Sequence, residues 1–215
     1  MKLETSDSTI LVWDVPVRVF HWALAISFFG AWLTAEGDKL LMMHYAFGYS
    51  ACALVIFRIV WGVIGTKYSR FSQFIKGPEQ MKIYLKEMIT LKKSDGPGHN
   101  PVGALVMMSL IVLILLIGLT GYWMIQGYLG ELMGGAHEAI ASIALGLVVI
   151  HIAAAIIMSL LHKENLIRSM VNGQKQGNPE QGIRYPMQII GMCLAIAWVY
   201  SFYLVVSGAL PGLTQ

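Results

Sequence analysis

The sequence predicts an all-α membrane protein with five transmembrane helices. Three observations carry that prediction. The chain of 215 residues is 56% hydrophobic and only 13% charged, where a soluble domain of this size has about 25% charged residues. Its mean hydropathy is +0.64. Five stretches are apolar over the roughly 20 residues that a helix needs to cross a hydrocarbon core about 30 Å thick. The net charge of +3 is small, and no nucleic-acid partner is expected.

The first sixteen residues hold Glu4, Asp7 and Asp14, without an apolar run or a small-residue cleavage site. The first hydrophobic segment is therefore expected to be retained as a span. That span runs roughly over Val17–Ala35, and the second over Leu40–Ile64. A polar stretch from Gly65 to Asn100 follows, with Lys67, Arg70, Lys76, Lys82, Lys86, Lys92 and Lys93. Within it, Pro78–Leu91 has helical periodicity (Met81, Tyr84, Leu85, Met88) and reads as an amphipathic helix on the membrane surface. Asp95-Gly96-Pro97-Gly98 breaks it.

Span three, Pro101–Ile125, starts with a proline in the first turn, where a missing N–H costs nothing. A loop without Lys or Arg leads to span four, His137–Leu161. The polar stretch His162–Tyr185 carries Lys163, Arg168, Lys175 and Arg184, and span five covers Pro186–Ala209. Gly30, Gly48, Gly118, Gly121 and Gly146 sit inside spans and are expected to allow close helix packing.

Orientation follows from the basic residues. The loops between spans one and two and between three and four, with the C-terminal tail, contain only Lys39. The N-terminal segment and the other two loops contain Lys2 and the eleven named above. The positive-inside rule puts the N-terminus in the cytoplasm and the C-terminus outside, as for a bacterial inner-membrane protein. Cys52 and Cys193 both lie in apolar spans, so neither a disulfide nor a cysteine metal site is expected. Trp13, Trp22, Trp61, Trp123 and Tyr122 lie near span ends and read as an interfacial belt. The 13 methionines read as packing rather than as ligands.

Four histidines fall within spans: His21, His44, His137 and His151. Any one of them alone could be a ring hydrogen-bonded to a neighbouring helix. Their depths argue for more. His137 and His151 are about four helical turns apart, so they share a face and lie about 21 Å apart along the axis. His151 then lies about 9 Å, and His21 about 6 Å, from the inner edge of the core. His44 and His137 both lie near the outer edge. The rings sort into an inner pair, His21 with His151, and an outer pair, His44 with His137. Two bis-histidine sites stacked on one helix suit two b-type haems inside a bundle.

Arg18 and Arg58, near the inner side, are candidate partners for haem propionates. Arg58 is favoured because it lies about four helical turns from His44, on the same face of span two. Snorkelling to lipid headgroups is the alternative. His99, with Asn100 as a helix cap before Pro101, reads as an interfacial residue with a possible quinone role. His162 reads as a cation at a helix C-terminus.

Several short motifs bear on family: Val17-Arg18-Val19-Phe20-His21-Trp22, Gly98-His99-Asn100-Pro101-Val102-Gly103, His137-Glu138, His151-Ile152 and Met170-Val171-Asn172-Gly173-Gln174-Lys175. In order and topology they resemble the bacterial cytochrome b561 superfamily, which includes the b-type cytochrome subunit of nickel–iron hydrogenases and the gamma subunit of formate dehydrogenase. The resemblance covers residues 10–176. It implies two b haems, with ligands matching His21, His44, His137 and His151 position by position. It also implies a four-helix haem-binding domain over residues 1–176, with residues 177–215 adding a fifth helix for partner docking or for sealing the bundle.

The expected function is transmembrane electron transfer through two haem b groups, between quinone and a periplasmic c-type cytochrome, hydrogenase or dehydrogenase subunit. This makes the chain an electron-transfer subunit of a respiratory chain with quinone oxidoreductase activity. Two other readings stay open. One is a haem-free transporter or assembly factor that uses the same histidines for protons or metal. The other is a stand-alone quinol oxidase.

Overall fold

A computed structural model of the chain describes residues 8–73, 79, 82 and 101–209. Apart from residues 79 and 82, the expected amphipathic helix over Pro78–Leu91 lies outside them, as do the break after Asp95 and His99 with Asn100. Five helices are long and apolar enough to cross a membrane, and the chain is an all-α, multi-pass membrane protein.

Helix α1, Val15–Leu33, starts at Asp14. The Asp14 carboxylate accepts the Val17 N–H at 2.8 Å, and Pro16 sits in the first turn. An acceptor before a proline is the usual way to start a helix, because the first N–H groups have no partner within it. Helix α2 covers Leu41–Ile64 and α3 covers Pro101–Ile125. Helix α4, Gly130–His162, has 33 residues, or about 50 Å. It begins two turns before the expected start of span four, so His137 lies well inside the helix rather than at its tip. Helix α6, Gln188–Val206, is the fifth span.

Two elements at the N-terminal end were not expected from periodicity. One is a two-stranded antiparallel ribbon of β1, Ser8–Leu11, and β2, Gln174–Gly177, with Leu11 opposite Gln174. The other is the short helix α5, Leu166–Asn172, capped by Asn165. Gly173 ends α5 at φ 81°, and its carbonyl accepts the N–H groups of Val12 and Trp13 at 2.8 and 3.0 Å. A side chain here would meet both the left-handed backbone penalty and the Trp13 carbonyl. Strands this short do not hold by themselves. They hold because Ile10, Val12 and Trp13 pack with Val17, Trp61 and Tyr68 in one buried cluster. Trp13 and Trp61 are 5% and 6% exposed, so these two are core residues and not part of an interfacial belt.

Helix α6 lies against α1 and α2. Trp198 donates its indole N–H to Ser27 Oγ at 3.0 Å, and Phe202 meets Phe47 at 4.7 Å between ring centres. Helix α4 runs along α3 and closes on α5; among the described residues it has no packing of similar extent with α1 or α2. Of the span glycines, Gly30, Gly118 and Gly121 are closely approached by Phe47, Cys52 and His137, whereas Gly48 and Gly146 have no other side chain within 4 Å of a Cβ position. These last two are not close-packing sites. Cys52 and Cys193 are both free thiols.

Candidate functional site

The four span histidines come from three helices. His21 lies on α1, His44 on α2, and His137 and His151 on α4. His21 faces His151 with ring centres 6.4 Å apart, and His44 faces His137 at 6.1 Å. These are the two pairs given by the depth argument. Both pairs bridge the space between α4 and the α1–α2 hairpin, where no extensive helix packing closes the bundle among the described residues.

The His44–His137 pair is backed by main chain on two helices. His44 donates Nδ1–H to the Ala31 carbonyl at 2.9 Å. That carbonyl belongs to the last turn of α1, where it also accepts from the capping Thr34 N–H and hydroxyl, each at 3.3 Å. His137 donates Nδ1–H to the Ile117 carbonyl of α3 at 3.0 Å, with Thr120 Oγ1 at 3.3 Å. A carbonyl only accepts, so both rings carry their proton on Nδ1 and keep the Nε2 lone pair for a ligand role. Gly121 makes this approach possible: a Cβ there would lie 3.1 Å from His137 Cε1.

The His21–His151 pair sits nearer the end that holds the ribbon and α5. Trp22 meets His21 edge-on at 5.1 Å and ties α1 to α5 by donating to the Met170 carbonyl at 3.1 Å. His21 Nδ1 is buried and has no partner among the described residues.

Charged groups gather at the same end. Arg58 is 1% exposed, so it does not snorkel. One guanidinium nitrogen lies 3.7 Å from Met107 Sδ, the group stacks 5.0 Å over Phe71, and Nη1 has no partner among the described residues. Arg18 donates to the Val171 carbonyl at 2.6 Å, at the C-terminal end of α5, while its Nε is buried without a partner among the described residues. Asp14, 1% exposed, also accepts from Trp61 Nε1 at 3.0 Å and Thr66 Oγ1 at 2.6 Å. It therefore pins the start of α1 to the end of α2. Sequence reasoning had not given Asp14 a role, although its place before Val15-Pro16 is a helix-start signal. His162 is the last residue of α4, where a cation suits the helix dipole.

The arrangement fits haem. Two imidazoles sharing one metal at about 2 Å per bond have ring centres roughly 6 Å apart, which matches both separations. The orphaned nitrogens of Arg18 and Arg58 suit carboxylates such as propionates. Among the described residues no group of three or more His, Cys, Asp or Glu side chains converges on a metal position.

Comparisons with known proteins identify the family. Residues 12–173 match the family described as prokaryotic cytochrome b561. The chain is similar to the probable Ni/Fe-hydrogenase B-type cytochrome subunit of Azotobacter vinelandii, with 26% identity over 80% of this chain and 94% of that protein. The proteins of the same name from Bradyrhizobium diazoefficiens and Rhodobacter capsulatus are 22% and 23% identical, each over 78% of this chain and over 86% and 82% of their own lengths. No solved structure matches the chain.

Proposed function

The chain belongs to the prokaryotic cytochrome b561 family of b-type haem electron carriers, and from that premise we propose that it moves electrons across the bacterial inner membrane through two haems. One is held by His21 and His151 and the other by His44 and His137. The observation that carries this reading is the pair of imidazole couples, 6.4 and 6.1 Å between ring centres, at two levels of one bundle. A haem b at each level supplies one-electron exchange between ferric and ferrous iron.

The residues around those levels orient and insulate. The Ala31 and Ile117 carbonyls fix the tautomer and ring plane of His44 and His137. The apolar faces of α3 and α4 keep water away, which sets the dielectric around the metal. Arg58 and Arg18 take the propionates of the inner group. The basic loops put the N-terminus, the ribbon and α5 in the cytoplasm and the C-terminus in the periplasm. The pairing of β1 with β2 supports this threading, because it needs the N-terminus and the segment after α4 on one side. Residues 1–176 form the haem unit, and 177–215 add the fifth helix, seated on α1 and α2.

Quinone exchanges electrons on the cytoplasmic side, near His21, Arg58 and His99. The periplasmic partner is a hydrogenase, a reading supported by the names of the similar proteins; a c-type cytochrome or another dehydrogenase would use the same outer level. The test is a reduced-minus-oxidised spectrum of the purified protein with haem counted per chain. Two b-type haems per chain are expected, and His151→Ala should keep one. A flat spectrum would instead favour a haem-free transporter or assembly factor.

A further inference from the structure

The two levels differ in what stands behind the imidazoles. In the outer pair both rings donate Nδ1–H to a main-chain carbonyl. Such a bond pushes electron density into the ring and makes the other nitrogen a more basic ligand. A more basic ligand favours the oxidised metal. In the inner pair His21 Nδ1 is buried with no acceptor among the described residues, so its ring lacks that push.

Fixed charge runs in the same direction. Arg58 lies about four helical turns inward of His44 on α2, and His151 lies about four turns inward of His137 on α4. Equal steps along two helices that cross the bundle in the same direction bring the buried Arg58 guanidinium to the depth of the inner pair. Arg18 lies about one turn from His21 on α1. Among the described residues one buried carboxylate stands against them, Asp14, and it already accepts from Val17, Trp61 and Thr66. The described charged side chains nearest the outer pair are Glu36, Lys39, Glu131 and Glu138. Glu36, Lys39 and Glu131 sit at the loop ends of the helices and Glu138 follows His137 within α4; all four are exposed, so their charges are screened far more than that of the buried Arg58. A buried cation acts through a low dielectric and favours the reduced metal.

We infer that His21, His151 and Arg58 build the higher-potential level, and His44 and His137 with their carbonyls the lower. An electron shared by the two levels then rests on the inner one. The transfer balances within the chain: the outer iron loses the electron that the inner iron gains, and no proton or co-reactant is needed. The inference rests on the two-haem reading above.

The test is an optical redox titration of the purified holoprotein, expected to show two one-electron components. In His44→Ala the surviving haem should titrate as the higher component, and in His151→Ala as the lower. Arg58→Gln should bring down the higher component alone, by a tenfold change in the equilibrium between levels, or about 59 mV for one electron. A haem in His151→Ala that titrates at or above the one in His44→Ala overturns the inference. If either histidine variant does not fold, Arg58→Gln decides, and an unmoved higher component overturns it. Failure of the two-haem reading appears earlier and differently, as fewer than two haems per wild-type chain in a pyridine haemochrome assay.

Discussion

At the outer level each imidazole gives its Nδ1 proton to a main-chain carbonyl, Ala31 on α1 or Ile117 on α3. At the inner level His21 has no such acceptor among the described residues, and arginines stand nearby instead. The ring separations are nevertheless almost the same, 6.1 and 6.4 Å. Spacing alone therefore does not tell the levels apart; their surroundings do. The outer pair is held by helix backbone and depends on close approach of α3 to α4. The inner pair leans on side-chain contacts of the clasp formed by the ribbon and α5: Trp22 of α1 against α5, and Asp14 between α1 and α2.

The comparison breaks most visibly if one outer ligand is removed. His137→Ala should lose the outer haem and about half of the b-type absorbance, and keep the inner haem; haem quantification reads this directly. Loss of both haems in a folded protein would show that the levels are not independent. Gly121→Val should act on the same level by a smaller step. Its side chain would push the His137 ring off the Ile117 carbonyl, so outer-haem occupancy should fall several-fold while the inner haem keeps its spectrum.

The inner level is tested through its clasp. Asp14→Ala removes a helix cap, worth about 1 kcal/mol, and leaves buried donors on Trp61 and Thr66 unpaired, at roughly 1–3 kcal/mol more. Thermal unfolding followed by haem absorbance should show a lower midpoint, with the inner haem released first. Asp14→Asn keeps the cap and should lose less. The smallest effect is expected away from both levels. Trp198→Phe removes the α6–α1 hydrogen bond to Ser27, worth about 1 kcal/mol between helices in a membrane. It should lower the unfolding midpoint slightly and leave both haem spectra unchanged. A change in either haem would show that the fifth helix reaches the cofactor sites.

Much of the architecture was legible in the chain. Long apolar runs have few ways to satisfy their backbone in a membrane other than as helices, so the spans were readable to within a few residues. Span four was the exception. Its helix starts at Gly130, because Gly134, Gly135 and Glu138 weaken the apolar signal without interrupting helical hydrogen bonding. The ribbon was not legible: β1 and β2 are short, they lie far apart in sequence, and neither has an alternating apolar pattern. Trp13 and Trp61 read as interfacial by position along the chain, but the clasp folds back over them. Arg18 was read as facing a propionate or lipid; its contact with Val171 depends on where α5 lands.

The sequence by itself determined the number of spans, the side on which the basic loops gather, and the depth of each histidine, because helical rise and hydrophobic length are local properties of a chain. Only the tertiary structure decided which carbonyls back which rings, that Gly121 makes room for His137, and that Arg58 is buried with one nitrogen unpaired among the described residues. Those facts depend on contacts between residues far apart in sequence, and these are set by how the helices pack rather than by any one segment.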